Sequence, residues 1–132
     1  MQTIQRSSTS NIYCVPAALA ALLDCHVDLA EALLKEELGD QIITGIYYPL
    51  IFKVLRHVDL DYRWIEVSQT YRQTHNETYL LCFNGHVGVV KDKCYFDNQQ
   101  PNGKPMTEHP YSRKIRQIFR IWKTGATGAT AI

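Results

Sequence analysis

Cys14 stands immediately before Val15-Pro16, at the expected start of the first helix. The N-terminus of a helix carries partial positive charge, which stabilises a thiolate. The thiolate is the nucleophile in cysteine catalysis. Taken alone, a cysteine is more often a small buried apolar group with no reactivity. A partner changes that balance. His86 follows Gly85 and opens the apolar run Val87-Gly88-Val89-Val90. Its near-neutral titration suits a general base, although a lone histidine there would be read as a hydrogen-bonded core or rim residue. Asp97 ends the next predicted strand. It can hold the imidazole in one tautomer, the third role of a catalytic triad. Its plainer reading is a turn aspartate beside Asn98.

Strand geometry selects Asp97 over Asn98. A two-residue turn at Asp92-Lys93 sets Lys91 opposite Cys94, Val90 opposite Tyr95 and Gly88 opposite Asp97. Opposed residues share a sheet face, and alternate residues along a strand share it too. Asp97 is then a diagonal neighbour of His86, with side-chain-free Gly88 between them. Asn98 points the other way. A three-residue loop or a bulge would reverse this assignment.

Other constellations carry less. Cys25-His26 is an adjacent pair, and neither C-x-x-C nor H-x-x-x-H spacing occurs, so no metal site is expected. Cys82 and Cys94 fall on predicted strands as core residues. His57, His75 and His109 read as surface or cap residues. Arg113, Lys114, Arg116, Arg120 and Lys123, with Phe119 and Trp122, could form a basic-aromatic strip for nucleic acid. The plainer reading is an edge strand with solvating charges.

The positioning elements are helical first and extended afterwards. Pro16 to Leu23 has high helix propensity, with proline where a first turn tolerates it. A second helix is predicted over Leu29–Leu38, with Asp28 as N-cap, Glu31 at capping-box spacing and Gly39 as the stop. A third starts after Thr44 and carries Leu50, Ile51, Val54, Leu55 and Val58 at helical spacing, with Pro49 near its first turn. Strands are predicted over Tyr62–Val67, Thr78–Phe83, Val87–Val90, Cys94–Phe96 and Ile115–Trp122. Helices followed by an antiparallel sheet make an α+β fold.

The chain has 132 residues, 45% hydrophobic and 20% charged, which suits one domain with one core. We expect a single domain over 1–123 and a flexible tail over 124–132. The net charge of +1 gives no global field for nucleic acid or acidic lipid. No run approaches the roughly 20 apolar residues of a membrane span, and Met1 to Asn11 lacks a secretory segment. The expectation is a cytoplasmic protein with no membrane association and four free thiols.

The segment Asn11-Ile12-Tyr13-Cys14-Val15-Pro16-Ala17-Ala18-Leu19 resembles the nucleophile helix of papain-like cysteine peptidases. Tyr79 to Asp97 resembles their histidine strand, hairpin and Asp/Asn segment. The order Cys, His, Asp/Asn matches, and the likeness spans about Asn11 to Asn98. It is nearest to small bacterial and bacteriophage members and more distant to bacteriocin-processing peptidases. The resemblance implies a papain-like α+β fold, helices packed on a C-terminal antiparallel sheet. It implies peptidase, isopeptidase, amidase or acyl-transfer chemistry on a peptide or protein substrate, with no cofactor. If the source is viral, the setting is the host cytoplasm. One departure stands out. The family places a glutamine about six residues before the cysteine as oxyanion donor, where this chain has Ser8. Gln5 and Asn11 are the nearest amides, and the Cys14 backbone N–H is a further candidate.

The leading expectation is a cysteine hydrolase working through Cys14, His86 and Asp97. The alternative is a weakly active or inactive binding module on the same fold, such as a viral protein engaging a host factor. A third option is a nucleic-acid accessory protein using the Arg-rich last strand, which salt-dependent binding would reveal.

Overall fold

The structure is a computed structural model that describes residues 14–38, 50–67, 77–105 and 114–124. Helix α1 spans Cys14–Leu23, and every residue from Val15 to Leu22 is buried. A helix that is apolar all round belongs inside a core. Here α1 lies between α2 (Val27–Leu38) and a six-stranded sheet. Its C-terminus closes with Asp24 in the left-handed region (φ 53°) and the Cys25 N–H donating to the Ala20 carbonyl at 3.1 Å. That is the Schellman pattern, with aspartate in the position glycine usually takes. The Lys91 ammonium donates to the Ala21 carbonyl at 3.3 Å, adding positive charge at the negative end of the helix.

The second helix starts earlier than its sequence suggests. His26, not Asp28, caps it: His26 Nδ1 accepts the Asp28 N–H at 3.0 Å and the His26 carbonyl accepts the Ala30 N–H at 3.2 Å. A ring nitrogen lone pair thus does the work of an Asx or Ser oxygen. Asp28 moves into the first turn, where its charge favours the helix. Helix α3 is described over Leu50–Leu55, with Ile51, Val54 and Leu55 buried. Its predicted start near Thr44 and the Gly39 stop of α2 lie outside the described residues. Phe52 stacks on Tyr62 (centroids 4.2 Å apart) and leans on Phe119 (4.7 Å), which fastens α3 to the sheet.

The strands are β1 (Leu60–Ile65), β2 (Thr78–Phe83), β3 (His86–Lys91), β4 (Cys94–Phe96), β5 (Lys104–Pro105) and β6 (Ile115–Lys123). Their order is β1-β6-β2-β3-β4-β5, and every pairing is antiparallel. The expected α+β class holds. The first strand lies two residues earlier than predicted, and β5 carries no alternating pattern that would have announced it.

The last strand differs more. It is not an edge strand: β6 sits between β1 and β2. Its alternation buries two faces, with Phe119 and Ile121 in the helix-side core and Ile118 in a second cluster with Tyr79, Leu81, Phe83, Val90 and Tyr95. The predicted basic-aromatic strip is therefore split. Phe119 packs inward, while Arg120 is 8% exposed, bonded to Glu77 at 3.1 Å and set over the Trp122 ring. Lys114, Arg116 and Lys123 are exposed, and Arg113 lies outside the described residues. Thr124, predicted as the start of the tail, donates its N–H to the Asp59 carbonyl at 2.8 Å. Among the described residues, no helix is long and apolar enough to cross a membrane.

Candidate active site

Cys14 is the first residue of α1, which packs against β3 and carries the fully buried alanines Ala17, Ala18, Ala20 and Ala21. Alanines let the helix approach the strand closely. His86 is the first residue of β3, so its ring stands at the end of the sheet, where the start of α1 also arrives. The hairpin between β3 and β4 has the two-residue turn inferred from the sequence. Lys91 pairs with Cys94, Val90 with Tyr95 and Val89 with Phe96. Asp92 (φ 53°) and Lys93 (φ 62°) both take left-handed conformations, as a type I′ turn demands. Extending that register by one residue sets Gly88 opposite Asp97.

The side chains meet accordingly. His86 Nε2 lies 2.9 Å from Asp97 Oδ2. The other carboxylate oxygen, Oδ1, accepts the backbone N–H groups of Gln99 (2.8 Å) and Gln100 (2.7 Å). The aspartate is thus held as part of an Asx turn and aimed at the ring. His86 and Cys14 are hydrogen-bond partners, and with Nε2 taken by Asp97 the ring nitrogen left for sulfur is Nδ1. The sulfur also accepts the N–H groups of Val87 and Val15. Asn98 makes no bond to the ring, and its Oδ1 is buried without a hydrogen-bond partner.

Burial and bonding compete at each group. Burial of Cys14 pushes its pKa up, but the bond and charge of His86 and the two backbone N–H groups together bring it below 9.0. Burial of His86 pulls its pKa down, yet bonds to Asp97 and Cys14 and their charges raise it to about 9. Burial of Asp97 pushes its pKa up, but bonds from His86, Tyr95 and the Gln99 N–H hold it below the ordinary carboxylate value. The arrangement favours a thiolate, an imidazolium and a carboxylate in series. It can attack an electrophilic carbon through sulfur and deliver a proton from the ring.

Sequence reasoning missed Tyr95, whose hydroxyl lies 3.2 Å from His86 Nε2 and bonds to Asp97. A signal was present: Tyr95 is two residues before Asp97 on one strand, hence on the same face, and diagonal to Gly88. The remaining candidates stay apart from the site. Burial and the nearby Asp24 charge raise the Cys25 pKa. Cys82 is fully buried and Cys94 half-buried in the core. His26 is the α2 cap, and exposed His57 pairs with Glu37 at 3.4 Å. Ser8, Gln5, Asn11, His75 and His109 lie outside the described residues. A groove of 410 Å³ lined by Leu33, Glu36, Glu37, Val54, His57 and Val58 lies between α2 and the end of α3, away from the triad. No protein-family model matches this chain, and no curated protein matches it.

Proposed function

We propose that the chain is a papain-like cysteine hydrolase acting on peptide or related amide bonds. The observation that carries the reading is the single hydrogen-bonded series Cys14–His86–Asp97, with its thiol at a helix start and its pKa brought down. In the first half-reaction the Cys14 thiolate bonds to the carbonyl carbon. The carbon–nitrogen bond then breaks as the His86 imidazolium gives its proton to the leaving amine. In the second, water attacks the thioester and passes a proton to His86, and sulfur leaves as thiolate. An amine in place of water would make the same centre an acyl-transferase. Asp97 keeps Nε2 engaged, so that Nδ1 faces sulfur throughout. The oxyanion would be met by backbone N–H groups at the start of α1, with Gln5 or Asn11 as side-chain candidates. We place it in the cytoplasm, or in a host's cytoplasm for a bacteriophage or other viral protein.

The test is covalent capture. A peptide-like electrophile should add once to the wild-type chain, at Cys14 by peptide mapping, and much more slowly to His86→Ala. Equal addition to both, or addition elsewhere, would remove the hydrolase reading. The groove beside α2 favours a second reading, a binding module with a weak or silent triad. In that case Cys14→Ala would retain every interaction of the wild type.

A further inference from the structure

We propose that the Tyr95 hydroxyl is a positioning group of this triad, clamping Asp97 and His86 into one geometry through the space left by Gly88. The inference deepens the hydrolase reading and rests on contacts that reading does not use. Tyr95 is fully buried on β4 and pairs with Val90 across the hairpin. Its ring lies along the sheet over Gly88. A Cβ built at Gly88 would fall 2.3 Å from both the Tyr95 hydroxyl oxygen and Cε1, so no larger residue fits beneath the ring there. Phe83 closes one side, with ring centroids 6.4 Å from Tyr95 in an edge-to-face contact and 5.8 Å from His86. The hydroxyl therefore has one place to be, 3.2 Å from His86 Nε2 and in hydrogen-bond contact with Asp97.

A phenol has one hydrogen to donate and lone pairs to accept with. Asp97 as carboxylate only accepts, so the O–H points to Asp97 and the oxygen lone pairs face the Nε2–H of His86. The hydroxyl thereby bridges the two groups. It supplies Asp97 with a donor beside the Gln99 and Gln100 N–H groups, and it offers the ring N–H a second acceptor beside Asp97 Oδ2. A ring turned by half a revolution would present carbon where Nε2 now stands and lose both acceptors. Tyr95 thus opposes the flip that would take Nδ1 away from Cys14.

The test compares Tyr95→Phe, which keeps the ring and its packing, with Tyr79→Phe. Tyr79 lies on the neighbouring β2 and gives its hydroxyl to Glu77 at 2.8 Å, away from the triad, so it controls for the loss of one buried sheet hydroxyl. Three measurements are made: thermal unfolding, the Asp97 carboxyl titration by carbon NMR of labelled protein, and the rate of Cys14 alkylation in mild acid. Tyr95→Phe should move the Asp97 midpoint upward by about one pH unit and slow Cys14 alkylation by roughly three- to tenfold, since a hydrogen bond to a charged group is lost. Tyr79→Phe should change neither. Gly88→Ala, which displaces the tyrosine ring while keeping its hydroxyl, should reproduce both shifts. If Tyr95→Phe leaves the Asp97 midpoint in place, or shifts it no more than Tyr79→Phe does, Tyr95 is only a packing residue and the inference is overturned. The Asp97 titration stands independently of Cys14. A wild-type Cys14 with ordinary reactivity beside a shifted Asp97 would therefore sink the hydrolase reading and keep this one.

Discussion

At the scale of single residues, Cys14 differs from the other thiols in what surrounds its sulfur. Burial raises both thiol pKa values, but Cys14 has His86 and two backbone N–H groups to outweigh it, whereas Cys25 has the Asp24 carboxylate and a single backbone N–H, from Ala30. These shift the two thiols in opposite directions. Limiting iodoacetamide at about pH 6.5, below the ordinary thiol range, should label Cys14 first. In His86→Ala the midpoint of the Cys14 alkylation profile should move upward, because the bond and the charge that favour the thiolate are both gone. Mass mapping of the four cysteines across pH measures both effects. Labelling of Cys25 or Cys94 as fast as Cys14 in the folded protein would show that Cys14 is not activated.

At the scale of elements, hairpin and helix ends do the positioning, and their strained residues offer a direct check. Asp24, Asp92 and Lys93 hold left-handed φ without being glycine. Asp24→Gly and Lys93→Gly should each raise stability by about 0.5–1 kcal/mol, since the strain relieved exceeds the unfolded-state entropy added. Urea unfolding of the single variants reads this directly. Deleting Lys93 should abolish activation of Cys14, because a one-residue turn cannot close and the nearest two-residue turn slips β4 by one residue, which turns Asp97 away from His86. This is also where the sequence was most legible. A two-residue turn supposed at Asp92-Lys93 carried the choice of Asp97 over Asn98, and the structure has that turn and its register. The α2 cap was not legible, because His26 acts through a ring lone pair that propensity patterns do not weigh. Nor was the interior place of β6, whose arginines suggested solvent. Arg120 is buried because Glu77, 43 residues earlier, meets it there. Pairings at that separation leave no local trace. Tyr95 was missed for a related reason: its role depends on an absent side chain across the hairpin.

At the scale of the whole molecule, the site couples folding to protons in an unusual way. In the unfolded chain between about pH 6.5 and 8.5, the thiol is protonated and the imidazole neutral. In the folded chain the proton sits on His86, whose pKa is raised to about 9, and the Cys14 pKa is lowered. The His86 contribution is fully present below 6.5 and declines as pH rises through about 9. The Cys14 contribution grows over the same window, so the two slopes oppose each other. Folding thus favours a proton on nitrogen and disfavours one on sulfur, two opposed effects on proton uptake. Cys14→Ala should keep the fold, since the residue is only half-buried. It should also leave His86 with Asp97 alone to raise its pKa, so that stability relative to wild type falls by no more than about 1.4 kcal/mol per pH unit, between about pH 6.5 and a His86 pKa now below its wild-type value. Asp97 acts at the other end. Its lowered pKa adds stability above about pH 4 that is lost as acid protonates it. Denaturant titrations of wild type and Cys14→Ala at several pH values test this. Parallel curves would mean that Cys14 is not ionised in the folded state.

The separation of Cys14 from His86 and Asp97 along the chain also sets a timetable. Cys14 opens the first helix, while His86 and Asp97 arrive with the third and fourth strands. At about 5–20 residues per second, a ribosome that has made Cys14 needs roughly 4–17 s more to reach Asp97. Until then the cysteine has neither imidazole nor strand beside it, and it keeps the pKa of an ordinary thiol. The growing chain carries no activated nucleophile among the other proteins being made around it. On the proposed hydrolase function, reactivity would arrive late and all at once, when β3 docks on α1, and would disappear just as abruptly if that contact opened.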